Sequence, residues 1–159
     1  FLRFWFRYVH PNQAGLDLGL ADAILDQRIR PDLDHFAATA FEEAARAYVA
    51  KLAKNGRLSF LPERIGGWWS RDAEIDVLAI SQSEKVALVG ECKWSINPLG
   101  INVLEDLKRK AQVLMEYDDR IQSVQYALFA RSGFTIELGE QATHEGIGLY
   151  TVEEIVKAE

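Results

Sequence analysis

The chain has 159 residues, of which 48% are hydrophobic and 26% charged, so it can bury a core and is not a disordered tail. Its net charge is −6, and the acidic excess lies at the C-terminal end, where residues 137–159 hold six glutamates and one lysine. The sequence therefore shows no overall basic face, which argues against strong autonomous DNA binding and leaves open a neutral or metal-loaded contact surface. The single cysteine excludes an internal disulfide and fits a reducing cytoplasm.

Residues 1–33 begin without Met and open on a run of aromatic and basic residues. We interpret them as an N-terminal arm that continues from a missing upstream region, and we expect the apolar start to contact that region. Pro31 is expected to end a short helical pattern. The next helix is predicted over His35–Lys54, with Asp34 as its N-cap and Asn55-Gly56 as its stop.

Residues 34–159 are predicted to form one α/β (α+β) domain with a mixed central sheet flanked by helices. Two runs, Ala73–Ile80 and Lys85–Trp94, are apolar on both faces, which predicts a hairpin in the middle of the sheet. The segment before them, with Gly66-Gly67, is predicted to be a loop. Beyond the hairpin the pattern predicts a helix, a strand, a helical or irregular piece, a last strand and a closing helix. The first helix is predicted over Leu104–Met115 and the strand after it over Gln125–Ala130. The last strand is predicted over Ile147–Thr151 and the closing helix over Val152–Lys157.

Charged residues interrupt the apolar strands of this hairpin. If its turn centres on Ser83-Glu84, Asp76 lies opposite Glu91. In the same register Glu74 lies opposite Lys93, and all four side chains project to one face. A shift of one residue would place the facing carboxylates on opposite faces. Facing carboxylates repel unless a proton or cation lies between them, so the pattern predicts a site for Mg²⁺ or Mn²⁺. Lys93 would orient or deprotonate a water there, or stabilise charge on a phosphate.

The helix before the sheet offers a further carboxylate. On a helical wheel Glu42 lies at the border of the apolar stripe, whereas Glu43 faces water or pairs with Arg46 or Lys51. Glu42 is therefore the candidate third metal ligand. The alternative stays open that the charges form a purely structural cluster in which Lys93 neutralises the carboxylates.

Other residues have a functional and a structural interpretation. Trp68 and Trp69 lie near Arg64 and Arg71, an arrangement that stacks on nucleic acid in some proteins and only supplies buried area in others. We favour buried area. Cys92 points to the opposite face from its charged neighbours and is expected to be a small buried hydrophobe, not a nucleophile.

Phe41-Glu42, Glu74-Ile75-Asp76 and Glu91-Cys92-Lys93 together resemble the PD-(D/E)XK nuclease-like superfamily. More closely, FLRFWFRYVHPN, FEE, GGWWSRDAEIDVLA and GECKW look like the C-terminal domain of unknown function of archaeal-type P-loop ATPases. This resemblance implies a restriction-endonuclease-like fold and a site with metal ligands Glu42, Asp76 and Glu91 and the catalytic residue Lys93. It also implies that ATP binds only in a missing upstream ATPase and winged-helix region, since this chain has no phosphate-binding loop motif.

Three functions fit these observations. The first is a metal-dependent endonuclease, in which Mg²⁺ or Mn²⁺ supports DNA phosphodiester hydrolysis. The second is a catalytically inactive module of nuclease fold that couples the ATPase to DNA or to a protein partner. The third is a structural domain with an internal ion-pair cluster. DNA and the upstream ATPase domain of the same chain are the expected partners, and a homo-oligomer stays open.

Overall fold

A five-stranded mixed sheet organises the larger part of the chain in the computed structural model, which describes residues 1–157. The chain divides into two units, Phe1–Thr39 and Ala40–Glu159. The boundary between them falls inside the helix α4 (Arg30–Lys54). No helix of the described residues is both long enough and apolar enough to cross a membrane.

The smaller unit, Phe1–Thr39, is largely helical. The carboxylate of Asp32 accepts two hydrogen bonds from the Arg7 guanidinium, at 2.6 and 2.8 Å, and one from the Tyr8 hydroxyl at 2.6 Å. These bonds tie the segment that carries Arg7 and Tyr8 to the first turn of α4. Before α4 the unit contains α1 (Leu2–Phe4), a π-helical turn (Trp5–Val9), a 3₁₀ turn (His10–Asn12), α2 (Gln13–Asp17), α3 (Ala21–Ile24) and a second π-helical turn (Leu25–Ile29).

The prediction that Pro31 ends a helix is wrong. The π-helical turn Leu25–Ile29 leads directly into α4, and Pro31 occupies the first turn of α4. Proline in a continuous helix costs one backbone hydrogen bond, and here it follows a π-helical turn, in which the regular hydrogen-bond ladder is already interrupted. Asp34 is consequently inside the helix and is not its N-cap. The predicted C-terminal stop is confirmed, since Gly56 adopts a left-handed conformation with φ +67° directly after the helix.

The strand β1 (Arg64–Trp69) replaces the predicted loop before the hairpin. It pairs antiparallel with β2 (Glu74–Ser81) at one edge of the sheet. Two adjacent glycines weaken the strand signal in this segment, and pairing with a buried neighbour outweighs their low strand propensity. The remaining elements are β3 (Val86–Lys93), α5 (Ile101–Tyr117), β4 (Ser123–Ala130), α6 (Ile136–Glu145), β5 (Gly148–Thr151) and α7 (Val152–Lys157).

The strands lie in the order β1-β2-β3-β4-β5, so the β2–β3 hairpin is interior, as its double-faced apolarity predicts. β3 pairs parallel with β4, and β4 pairs parallel with β5. The predicted turn register is also confirmed, because Val77 pairs with Gly90 and Ser81 pairs with Val86. The α+β fold class with a mixed sheet flanked by helices is therefore confirmed.

Two apolar clusters cover the two faces of the sheet in the larger unit. The α5-side cluster joins α5 and α6 to the sheet and includes Ile75, Leu78, Ile80, Ala87, Val89, Leu104, Leu107, Leu114, Leu128 and Leu138. The α4-side cluster joins α4 and α7 to the sheet and includes Phe41, Ala45, Val49, Leu52, Val77, Ala79, Leu88, Phe129 and Ile155.

Candidate active site at the end of the β2–β3 hairpin

A β-bulge lies at the position of the first predicted site residue on β2. Gly66 pairs with Leu78 but Trp68 pairs with Ile75, so Gly67 stands opposite two residues of β2, Asp76 and Val77. Such a bulge redirects the side chains of the strand. Accordingly Ile75 belongs to the α5-side cluster and Val77 to the α4-side cluster. The bulge interrupts the regular alternation on which the predicted common face of Glu74, Asp76, Glu91 and Lys93 depends.

The carboxylate of Asp76 occupies the place where the β2–β3 ladder ends. The last pair of the ladder joins Val77 to Gly90, and beyond it the backbone N–H of Cys92 donates to Oδ2 of Asp76 at 2.8 Å. The side chain thus replaces a backbone acceptor between the two strands. Burial raises the pKa of Asp76 to about 6; the Cys92 hydrogen bond opposes this shift, and the nearby charges of Glu91 and Glu42 increase it.

Glu91 is a buried carboxylate held between two lysines. Its residue exposure is only 3%, and its Oε1 accepts from Lys93 Nζ at 2.6 Å. Its Oε2 accepts from Lys110 Nζ, on α5, at 2.7 Å. The Lys93 side chain is 45% exposed and that of Lys110 is 13% exposed. Lys110 therefore acts as an interior counter-ion, while Lys93 reaches toward solvent.

Glu42 reaches the site through an arginine of its own helix. Its Oε2 accepts from Arg46 Nη2 at 3.0 Å, and Arg46 Nε donates to the backbone carbonyl of Asp76 at 2.7 Å. Glu42 is half-buried and Glu43 is exposed, as the helical wheel predicts. Arg46 is therefore an ion-pair partner of Glu42.

Close packing fixes the backbone that carries the Glu91-Cys92-Lys93 segment. A Cβ at Gly90 would lie 2.9 Å from Cε2 of Phe129 and 3.1 Å from Cβ of Val77. Only glycine leaves room for both neighbours at this position. The strand is thereby held against β2 and β4 directly before the charged residues begin.

Two ionisation states limit the chemistry of the site. Burial lowers the pKa of Lys93, but its hydrogen bond to Glu91 and the charges of Glu91 and Asp76 outweigh burial, so the pKa is raised overall. In this arrangement Lys93 therefore carries a positive charge. Burial, with the nearby carboxylates, raises the pKa of the Cys92 thiol, which agrees with a packing role and not with a nucleophile.

The donor chemistry of the site fits a hard divalent cation, since Asp76, Glu91 and Glu42 all offer carboxylate oxygens. Its present arrangement is charge-paired instead, because lysines hold both oxygens of Glu91 and an arginine holds Glu42. Among residues 1–157, no group of three or more His, Cys, Asp or Glu side chains has the spacing of a metal centre. A cation would have to compete with these lysines for Glu91.

Two residues of the site were not predicted from the sequence. From the sequence, Arg46 is only one alternative partner of Glu43, and its ion pair with Glu42 is not predicted. The helical pattern alone favours a solvated position for Lys110, whereas its side chain is only 13% exposed and contacts Glu91. The sequence predicts only a different partner for Lys110, because Asp106 lies four residues earlier on the helix. The two side chains do form an ion pair at 3.4 Å, but this spacing does not indicate the contact with Glu91.

Fold and site together define an α+β domain with a carboxylate–lysine cluster at the open end of a central hairpin. Residues 5–110 match the family DUF234, described as archaea bacterial proteins of unknown function, and the chain belongs to this family. An uncharacterized protein of Methanocaldococcus jannaschii is 32% identical over 116 residues, which cover 72% of this chain and 26% of that protein. The chain thus spans about a quarter of the length of that relative.

Two solved structures show a distant likeness. One is a repair endonuclease from Pyrococcus abyssi, with a TM-score of 0.41, 21% identity and coverage of 66% of this chain and 44% of that chain. The other is EndoMS in a complex with double-stranded DNA, with a TM-score of 0.38, 20% identity and coverage of 67% and 43%. At this level of similarity neither structure defines the function of this chain.

Proposed function

We propose that the larger unit is a nuclease-like module that hydrolyses DNA phosphodiesters with Mg²⁺ or Mn²⁺ bound by Asp76, Glu91 and Glu42. The observation that carries the proposal is the position of the Asp76 carboxylate. It closes the end of the β2–β3 ladder and lies near enough to Glu91 and Glu42 for their charges to oppose its ionisation. Carboxylates from a helix and two strands that repel one another form a site that a divalent cation stabilises.

In this proposal Lys93 is the catalytic residue that contacts the phosphate. Its side chain is 45% exposed, stays protonated and is anchored by the buried Glu91, so its charge has a fixed position at the surface. A positive charge held in place stabilises the negative charge that develops on a phosphate during attack. A bound divalent metal supplies Lewis acidity and activates a water molecule.

The partners follow from the same proposal. DNA is the substrate, and the ATPase domain that the resemblance implies upstream in the same chain is the second partner. Assembly into a homo-oligomer and a cytoplasmic location belong to this proposal as well. The acidic balance of the chain, with its net charge of −6, means that DNA affinity must come from the metal-loaded site or from another domain.

A specific observation favours a second function, that of a catalytically inactive interaction module. Lys93 and Lys110 already neutralise both oxygens of Glu91, and residues 1–157 contain no assembled group of three metal-ligating side chains. A cluster of this kind is stable without metal. The module would then couple the ATPase to DNA or to a protein partner.

Calorimetry of Mn²⁺ and Mg²⁺ binding, beside nicking of supercoiled DNA, separates the two functions. The nuclease proposal expects metal binding and metal-dependent nicking by the wild type. It expects Asp76→Asn to weaken metal binding and Lys93→Ala to abolish nicking while keeping metal binding. Lys54→Ala, at an exposed position on α4, is the matched control and should change neither result. Metal binding without nicking would favour the inactive module, and no binding at millimolar metal would leave only the structural ion-pair cluster.

A further inference from the structure

A second concave site lies in the larger unit and shares no residue with the carboxylate cluster. It is a pocket of about 440 Å³ between β1, β2 and the C-terminal end of α5. Small-molecule sites in proteins have volumes of roughly 300–1,000 Å³. The pocket is therefore large enough for one nucleotide-sized ligand.

A missing side chain creates this space. Gly66 lines the pocket in the middle of β1, where it pairs with Leu78 of β2. A Cβ at Gly66 would have no heavy atom within 4 Å, so the pocket begins where a side chain would otherwise stand. The backbone of Gly66 is not left-handed, so the backbone conformation does not require glycine at this position.

The floor is apolar and the wall is aromatic. Leu78, Ile80 and Leu114 form the floor and are all buried, Leu114 to 1% exposure. Trp68 and Tyr117 form the wall, with ring centroids 5.7 Å apart in an edge-to-face arrangement. Tyr117 is 61% exposed, so a planar ligand can reach this residue. Nucleobases stack on aromatic rings of this kind.

The charged residues that line the pocket are two arginines and one aspartate. Arg120 is engaged by Asp118 through two hydrogen bonds of 2.7 and 2.8 Å. Arg64 is exposed and forms no ion pair with any residue in the described range 1–157, although its charge contributes to the lowered pKa of Asp118. The lining therefore has one positive charge in excess, and Arg64 is the guanidinium able to bind an anion.

We propose that this pocket binds a nucleotide, with the base against Trp68 and Tyr117 and the phosphate at Arg64. The same chemistry is offered by a free mononucleotide and by an unpaired nucleotide of a single strand. On α5, Leu114 of the floor follows Lys110 of the carboxylate cluster by one helical turn, about 6 Å along the axis. A strand that enters the pocket would thus pass near that cluster, but nucleotide binding itself does not depend on the proposed nuclease activity.

The test is titration calorimetry of the chain without metal, so that failure of the nuclease proposal leaves the result interpretable. The probes are AMP, TMP and a short oligothymidylate, with ribose 5-phosphate as the probe without a base and adenosine as the probe without a phosphate. Binding of the mononucleotides indicates a free ligand, and binding of the oligothymidylate alone indicates a single strand. Either result supports the pocket only if ribose 5-phosphate and adenosine bind more weakly.

Variants assign the binding to the pocket. Gly66→Leu should fill it and weaken nucleotide binding about tenfold or more, the loss expected when one base–aromatic stack is prevented. Gly139→Leu on α6, where a Cβ also meets nothing within 4 Å, is the matched control and should bind like the wild type. Arg64→Ala should weaken binding of nucleotides and leave the weak binding of adenosine unchanged.

Three results would overturn the proposal. They are the absence of binding by both the mononucleotides and the oligothymidylate at millimolar concentration, equal affinity for ribose 5-phosphate and AMP, and unchanged affinity in a folded Gly66→Leu variant. Circular dichroism establishes whether that variant is folded. If it is not, Tyr117→Ala at an exposed position takes its place, and unchanged nucleotide affinity in that variant has the same meaning.

Discussion

Lys110 on α5 donates a hydrogen bond of 2.7 Å to Oε2 of Glu91 on β3. Both side chains are largely buried: 13% of the Lys110 side chain and 4% of the Glu91 side chain are exposed. A buried carboxylate that loses a counter-ion keeps its desolvation cost without compensation. This pair therefore connects the stability of the larger unit to the charge state of its candidate site.

Replacing Lys110 by Met should destabilise the protein by about 1–3 kcal/mol, because Glu91 then depends on the half-exposed Lys93 alone. Lys108→Met is the matched control, since Lys108 lies on the same helix and pairs at 2.5 Å with Glu145 in a more exposed setting. That change should cost less than about 1 kcal/mol. Urea denaturation measures both values. Equal losses of stability in the two variants would show that burial of Lys110 does not increase its contribution to stability.

Asp76→Asn should stabilise the protein near neutral pH and leave it unchanged near pH 4. The pKa of Asp76 is about 6 in the folded state, raised mainly by burial, against about 3.9 in an unfolded chain. The folded state thus binds the proton more tightly, so the stability that Asp76 contributes is complete below its unfolded pKa and is lost as pH rises through 6. Asparagine has no such loss, and its amide oxygen can still accept from the Cys92 N–H.

The free energy of unfolding of the variant is expected to exceed that of the wild type by up to about 3 kcal/mol at high pH, because the pKa of Asp76 differs by about two between the folded and unfolded states. Denaturation curves at several pH values between 4 and 8 measure it. Carboxylates remote from Asp76 contribute equally to both proteins, so the difference reports Asp76 together with the neighbouring charges that act on it. A constant difference across this range, or a destabilised variant at neutral pH, would contradict the raised pKa.

Gly90→Ala should destabilise the protein by about 1–3 kcal/mol through overpacking. The new Cβ would lie 2.9 Å from Phe129, which is fully buried and has no room to move. Gly139→Ala on α6 is the control; its Cβ meets nothing, and the helix propensity of alanine should leave stability unchanged or improve it by up to about 1 kcal/mol. Thermal unfolding of both variants measures the contrast, and a tolerated Gly90→Ala would mean that β3 can shift.

The hairpin register could be predicted because two apolar strands and a short polar turn permit only one pairing that buries both faces. The bulge at Asp76 could not be predicted, because it depends on the pairing of β2 with β1. The two glycines of β1 made that segment look like a loop in the sequence. The helical periodicity of α5 also does not show which of Lys108 and Lys110 is buried. Each lies about 40° outside the apolar stripe of α5, on opposite sides, and only the docking of α5 on β3 decides which one meets Glu91.

The role of Glu42 is tested by comparing Glu42→Gln with Glu43→Gln. The two residues are neighbours on α4, but Glu42 is half-buried beside Arg46, while Glu43 is exposed. If Glu42 is a metal ligand, its replacement should weaken Mn²⁺ binding about tenfold, and replacement of Glu43 should leave the affinity unchanged. Calorimetric titration of Mn²⁺ into both variants gives the two affinities. A comparable loss in both would reflect only the general negative charge of the helix, and no loss in either would reduce the ligand set to Asp76 and Glu91.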